Sequence, residues 1–124
     1  MQRQLIISRG AETQYLPVNK VLYFEADGNY SHAHTLDGQD ILLTYQLGAV
    51  ATMIQEQLGK QGFRLMRVGR SKIVNIEYVS RIDTADNLLE LSNYNGVTVA
   101  LTVSEAALKE FSELLNKLIK EGII

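Results

Sequence analysis

The sequence contains no cysteine, no tryptophan and a single proline among its 124 residues. Without cysteine the chain cannot form disulfides, use a thiolate as a nucleophile or bind zinc through sulfur. No apolar run approaches the roughly 18 residues that a membrane-spanning helix needs. The first apolar run, Leu5-Ile6-Ile7, is too short for a secretory signal peptide. We therefore expect a cytoplasmic protein that does not enter a membrane.

Positive charge is not in excess, but it is concentrated in one segment. The chain has 12 Lys+Arg against 14 Asp+Glu, a net charge of −2, whereas nucleic-acid-binding domains are commonly basic. Half of the cations, however, lie in one short stretch whose only acidic residue is Glu77: Lys60, Arg64, Arg67, Arg70, Lys72 and Arg81. Because an electrostatic field depends on the local arrangement of charges, this stretch predicts a basic patch that could meet a polyanion.

Short runs of strand-forming residues alternate with turn signals along most of the chain. The turn signals are pairs or triplets rich in Gly, Asp and Asn: Gly10-Ala11, Asp27-Gly28-Asn29, Asp37-Gly38, Asp86-Asn87 and Asn95-Gly96. The pattern predicts a mostly β fold with about ten short strands. The length is that of one domain, which we assign to residues 1–124.

Two segments have helical periodicity instead. Apolar residues between Leu47 and Leu58 recur at helical spacing, with Thr44 as the predicted N-cap and Gly59 as the predicted end. A second, amphipathic helix is predicted over residues 104–121, where Ser104 is a suitable N-cap. Its apolar stripe consists of Ala107, Leu108, Phe111, Leu114, Leu115, Leu118 and Ile119.

Candidates for enzymatic chemistry are few. His32 and His34 are two residues apart in one predicted strand and so share a face, which is how some metal sites in small β-barrels begin. No carboxylate stands at a spacing that forces it to join them, although Glu25, Asp37 and Asp40 are near. There is no Gly-rich phosphate loop and no nucleophile motif. We predict no enzymatic activity, no metal, no cofactor and no small-molecule substrate, with a metal-dependent enzyme as the minor alternative.

Three blocks in order resemble one known family. Residues 67–75, RVGRSKIVN, closely resemble the central motif of LytTR-type DNA-binding domains, the output domains of LytR/AlgR-like response regulators. Residues 21–38, VLYFEADGNYSHAHTLDG, are similar to the family's first block, and residues 97–111, VTVALTVSEAALKEF, to its closing strands. The resemblance implies small antiparallel sheets with a short helix, no enzymatic function, and sequence-specific binding of double-stranded DNA in transcription regulation.

The resemblance also implies which residues contact DNA. Members of this family contact bases in the major groove from loops instead of from a recognition helix. The matching positions fall in three groups: Asn29, Tyr30, Ser31 and His32; then Arg70, Ser71 and Lys72; then Ser104, with Glu105 beside it. Other motif residues are assigned to the scaffold: Phe63, Val68, Ile73, Val74 and Asn75.

Three departures from the family pattern bear on affinity. The family often has His at the position of Gly69, an aromatic residue at Lys72 and Arg where this chain has Ser104-Glu105. A missing cation and an added carboxylate weaken attraction to phosphates, and Lys72 partly compensates.

Several alternatives stay open at this stage. The basic cluster is also typical of the solvated outer face of a sheet, with Arg67 paired to Glu25 or Glu77. The terminal helix could make the chain a protein-interaction or dimerisation module, and homodimers would suit paired DNA sites. No phospho-receiver domain, the usual partner of such a domain in a two-component system, is present in these residues. The chain is therefore either a free-standing regulator or the output domain of a longer protein.

Overall fold

The structure is a computed structural model that describes residues 3–93 and 95–124. It divides into two compact units, residues 1–77 and residues 78–124. Strands make up 43% and helices 33% of the chain, so the predicted mostly β class is confirmed. No helix within the described ranges is long and apolar enough to cross a membrane.

The first unit contains two antiparallel sheets. Strands β1 (Gln4–Arg9) and β2 (Glu12–Pro17) form a hairpin. The other five strands form one sheet in the order β5-β4-β3-β7-β6. These are β3 (Val21–Asp27), β4 (Tyr30–Thr35), β5 (Asp40–Leu43), β6 (Leu65–Val68) and β7 (Lys72–Asn75). Short 3-10 turns lie at Val18–Lys20, Gly59–Arg64 and Ile76–Tyr78.

Helix α1 (Leu47–Leu58) contributes its apolar face to the core of this unit. The predicted N-cap was wrong: Gln46, not Thr44, caps the helix, because its backbone is extended and its carbonyl accepts the hydrogen bond of the Val50 amide. Gly59 ends the helix as predicted, with a φ of +53° that few other residues adopt. The core contains residues from the hairpin, the sheet and the helix: Leu5, Ile7, Leu16, Val21, Phe24, Ala33, Leu43, Leu47, Val50, Ile54, Leu58, Leu65 and Ile73.

The second unit is a three-stranded antiparallel sheet followed by a helix. The strands are β8 (Val79–Asp83), β9 (Leu88–Ser92) and β10 (Thr98–Thr102), in the order β10-β9-β8. Helix α2 (Glu105–Lys120) begins after Ser104, whose hydroxyl accepts a hydrogen bond from the Ala107 amide. Leu108, Phe111 and Leu115 of this helix are buried, whereas Leu114 and Ile119 of the same apolar stripe are exposed.

Candidate nucleic-acid interface

Two of the predicted contact segments lie at the same end of the five-stranded sheet. The β3–β4 turn contains Gly28 and Asn29, and the β6–β7 turn contains residues 69–71. Because β3 and β7 are antiparallel neighbours with Glu25 opposite Lys72, the end of one strand meets the start of the other. The Ala26 amide donates a 2.8 Å hydrogen bond to the Ser71 carbonyl, which joins the two turns through the main chain.

The β6–β7 turn presents Arg70 to solvent. Gly69 has a φ of +63°, a conformation that glycine adopts without the steric cost of a side chain. The Arg67 guanidinium donates to the Arg70 carbonyl at 3.1 Å and so braces the turn; the predicted pairing of Arg67 with Glu25 or Glu77 was wrong. The Arg70 side chain is exposed and makes no hydrogen bond or ion pair with another described residue. Its five N–H donors are therefore available to a ligand.

A third loop, residues 44–46, lies beside the β3–β4 turn. The Ser31 hydroxyl donates to the Tyr45 carbonyl at 2.9 Å. The side-chain amide of Gln46 donates to the side-chain oxygen of Asn29 at 3.0 Å. Asn29 and Tyr30 are exposed, whereas Ser31 is fully buried. The Ser31 side chain, predicted to contact DNA, thus holds the turn against the next loop and does not reach the surface.

His32 is held between two carboxylates on the solvent side of the sheet. Its Nε2 lies 2.8 Å from an Asp27 oxygen, and its Nδ1 lies 2.7 Å from an Asp40 oxygen. The hydrogen bonds to Asp27 and to Asp40 raise the pKa of His32 above its ordinary value of 6.5, because they favour the charged imidazolium. A protonated His32 would offset the negative charge that Asp27 places at the turn.

The second histidine has different neighbours. His34 stacks on Tyr23 with ring centres 4.3 Å apart, and its Nε2 lies 3.5 Å from a Glu25 oxygen. Within residues 3–93 and 95–124, no group of three or more His, Asp or Glu side chains could hold a metal ion. The His32–His34 pair therefore offers no support for the minor alternative of a metal-dependent enzyme.

Two cations of the predicted basic patch already have acidic partners. Arg64 pairs with Glu77 at 3.4 Å. Arg81 belongs to the second unit, where its guanidinium bridges Glu90 and Asp83. The hydrogen bonds to these carboxylates, the one to Glu90 most of all, raise the pKa of Arg81 above its ordinary value. Arg81 therefore stays charged, but its charge is already paired within the protein.

The Lys72 side chain also has partners within the protein and is less exposed than the sequence suggested. Its Nζ lies 3.9 Å from a Glu25 oxygen and 3.4 Å from the Ser71 hydroxyl, and only 13% of its side chain is exposed. The register of β3 and β7 places Lys72 opposite Glu25. This pairing could not be predicted from the sequence without knowing that the two strands are neighbours. Of the cations at this end of the sheet, Arg70 is the most accessible to a polyanion.

The third predicted contact group lies in the other unit. Ser104 is exposed, and its hydroxyl caps α2 by accepting from the Ala107 amide at 3.3 Å. Glu105 is the first residue of that helix. The structure thus brings together residues 29–32 and 70–72 within the first unit, while Ser104 is described with the second.

Sequence reasoning missed residues whose role depends on tertiary contacts. Tyr45 and Gln46 bond the β3–β4 turn, yet neither belongs to a recognisable motif. Asp27 was assigned only to a turn, although an acidic residue next to a histidine-containing strand signals a charge partner for the imidazole. Arg9 lies outside the basic stretch of residues 60–81, so the sequence did not indicate it as a DNA contact.

Comparisons with known proteins identify the family. The family model described as LytTr DNA-binding domain matches residues 11–116. A solved structure, the LytTr DNA-binding domain of a protein described as a methyl-accepting/DNA response regulator from Bacillus cereus, is similar in fold, with a TM-score of 0.61 and 23% sequence identity. The match covers 93% of this chain and 98% of that one. No curated protein matches the chain. The family resemblance predicted from the sequence is confirmed, and the chain belongs to the LytTr DNA-binding domain family, a family of DNA-binding domains in transcription regulation.

Proposed function

We propose that this domain binds double-stranded DNA sequence-specifically, and that it inserts the β6–β7 turn into the major groove. The observation that carries the proposal is the exposed Arg70 guanidinium, which has no partner among the described residues and stands at a turn bonded to the strand that leads into the β3–β4 turn. A guanidinium can donate two hydrogen bonds to guanine O6 and N7, and an amide such as that of Asn29 can pair with adenine in the same way. The β3–β4 and β6–β7 turns, at the same end of the sheet, together form a small surface that can contact base pairs.

The supporting residues suit this role. The main-chain bond from Ala26 to Ser71, the Arg67 brace and the Ser31 bond to loop 44–46 fix the turns. Pre-ordered turns reduce the entropy cost of binding. Ser71 is exposed between Arg70 and Lys72, and its hydroxyl could contact a phosphate or a base edge. His32, with the charge it shares with Asp27, and Tyr30 flank the same turn.

The remaining elements of the proposal extend it to the whole chain. The two units act together as one DNA-binding domain, with Ser104 as a contact from the second unit. The function requires no enzymatic step and no cofactor, and it places the protein in the bacterial cytoplasm, where the chromosome is. Where two sites are paired, a second copy binds the neighbouring site, so that homodimers form on DNA.

Selection from a pool of random duplexes tests the proposal. Several rounds of binding and amplification are expected to enrich one short sequence motif, because base contacts from fixed side chains discriminate between base pairs. Affinity for the enriched duplex is then compared with affinity for a scrambled duplex of the same composition. Equal affinity for both duplexes would contradict sequence-specific binding, and no binding to either at low salt would contradict DNA binding altogether.

The rival function, a protein-interaction module built on the apolar stripe of α2, has less support. Leu108, Phe111 and Leu115 are buried, which leaves only Leu114 and Ile119 of the stripe as exposed apolar residues for a partner.

A further inference from the structure

The tip of the β1–β2 hairpin carries an exposed arginine. Gly10 and Ala11 connect the two strands, and Arg9 at the end of β1 lies opposite Glu12 at the start of β2. Gly10 has a φ of +58°, which allows the tight connection. The side chain of Arg9 therefore projects from a turn, where it is open to solvent.

Contacts along β1 fix the position of this hairpin. The Gln57 side chain of α1 donates to the Ile6 carbonyl at 2.9 Å and accepts from the Ile6 amide at 2.7 Å. Leu5 and Ile7 are buried in the core. The Tyr45 hydroxyl donates to the Ser8 carbonyl, one residue before Arg9. The backbone of Arg9 is thus held next to loop 44–46.

A continuous series of hydrogen bonds links this tip to the proposed DNA-contacting turns. The Ser71 carbonyl accepts from Ala26 in the strand that leads to the β3–β4 turn. In that turn, Asn29 accepts from Gln46 of loop 44–46. The neighbouring Tyr45 bonds the β1–β2 hairpin. These bonds connect four segments of the first unit in order, with the Arg70 turn first and the Arg9 tip last, and we call this connected row the edge.

Arg9 and Arg70 share an electrostatic property that other arginines lack. Neither guanidinium has a hydrogen-bond or ion-pair partner among the residues that the structure describes. By contrast, Arg3 donates to Gln61 and Arg64 pairs with Glu77. A cation without a protein partner can neutralise a phosphate and release its counterion on binding, with no internal ion pair to break.

We propose that Arg9 is a DNA-phosphate contact, at the opposite end of the interface from the base-contacting Arg70. The inference rests on the proposed function. The major groove is about 12 Å wide and is bordered by the two phosphate backbones. An edge whose Arg70 end enters the groove brings its other end towards a bordering backbone. A guanidinium there binds phosphate without regard to sequence.

Salt dependence of affinity tests this role. Arg9→Ala is expected to weaken binding to the selected and the scrambled duplex by the same factor and to reduce the slope of log affinity against log salt by about one unit. Between 50 and 200 mM salt, the wild-type protein would then lose about fourfold more affinity than the variant. Arg9→Lys retains the charge and is expected to keep the wild-type slope.

Arg3→Ala is the matched control, because Arg3 lies just before the other end of β1 and its guanidinium donates to Gln61. The control is expected to keep the wild-type slope. An unchanged slope in Arg9→Ala, with Arg70→Ala still impaired, would overturn the inference and leave the proposed function standing. Loss confined to the selected duplex at an unchanged slope would also overturn it, since it would indicate a base contact. If the wild-type protein binds neither duplex, the proposed function itself fails.

Discussion

The amide nitrogen of Ala26 lies 2.8 Å from the carbonyl oxygen of Ser71 and donates a hydrogen bond to it. This main-chain bond connects two segments that are 45 positions apart in the sequence. Since neither partner uses its side chain, substitutions at either position leave the bond possible. The distance between the β3–β4 turn and Arg70 is therefore set by the backbone of the sheet.

The first prediction concerns Arg70. Arg70→Ala is expected to cost about 1–3 kcal/mol of binding free energy on the selected duplex and to relax preference at one base pair. Binding to a scrambled duplex should fall much less. Affinity measured for both duplexes at several salt concentrations checks this. Equal losses on the two duplexes would show that Arg70 is only an electrostatic contact.

Lys72, the first residue of β7 after the same turn, provides the contrast. Because its ammonium lies near Glu25 and is mostly covered, we expect Lys72→Ala to reduce the salt slope by clearly less than the one unit expected for a free phosphate contact. The small loss of affinity that remains should be equal on both duplexes. A slope reduced by a full unit would instead identify Lys72 as a phosphate contact, as the sequence alone suggested.

The second prediction concerns pH. The pKa of His32 is raised by Asp27 and Asp40, so the folded state binds this proton more tightly than the unfolded state. The resulting stabilisation is complete below pH 6.5 and is lost as pH rises through the raised pKa. Deprotonation also leaves Asp27 uncompensated near DNA. Both the free energy of unfolding and DNA affinity are therefore expected to fall as pH rises above 6.5.

His32→Gln tests this assignment at constant ionic strength. The variant should lose most of the pH dependence of affinity between pH 6 and 8, the range in which histidines ordinarily titrate. His34→Gln is the control, since His34 lies against Tyr23 and Glu25 instead of Asp27. Persistence of the full dependence in His32→Gln, or its loss in His34→Gln, would assign the effect to another group.

The third prediction concerns Ser31. Ser31→Ala removes the hydrogen bond to the Tyr45 carbonyl and is expected to lower the free energy of unfolding by about 1 kcal/mol. DNA affinity should fall too, because the β3–β4 turn loses its tether. Ser71→Ala, which removes an exposed hydroxyl, should change stability by no more than about 0.5 kcal/mol. Chemical denaturation measures both; equal stabilities would show that the Ser31 bond contributes nothing.

The fourth prediction concerns α2. Phe111→Ala is expected to cost about 3–5 kcal/mol of stability, because the ring is buried. Leu114→Ala on the exposed side of the helix should stay within about 0.5 kcal/mol of wild type. Sedimentation should give a monomer in the absence of DNA for the wild-type protein and for Leu114→Ala. A wild-type dimer that Leu114→Ala dissociates would instead place a dimer interface on that side.

Local sequence signals predicted the elements well and the tertiary contacts poorly. The Gly59 helix end and the Ser104 cap depend on neighbouring residues only, and both were predicted. The prediction of Thr44 as the N-cap was wrong because the helix start depends on how loop 44–46 bonds the sheet. The buried state of Ser31 required knowledge of the face on which α1 packs.

Charge pairing was equally hard to predict. Of the six cations clustered in sequence, Arg64 and Arg81 form ion pairs with Glu77 and Glu90, which the sequence spacing did not predict. Arg9 lies 61 positions before Arg70 in the sequence, and their segments are connected through tertiary contacts that include the hydrogen bonds of loop 44–46. No rule based on sequence spacing relates two residues whose segments are connected through a third segment.

The two hydrogen bonds between Gln57 and Ile6 have a consequence for solubility. β1 pairs with β2 on one side only, and an open strand edge is a template on which another chain can add a strand. The Gln57 amide occupies both the N–H and the C=O of Ile6, which an incoming strand would need in the middle of that edge. Aggregation through β1 must first displace this side chain, so a glutamine on a helix protects the hairpin against self-association.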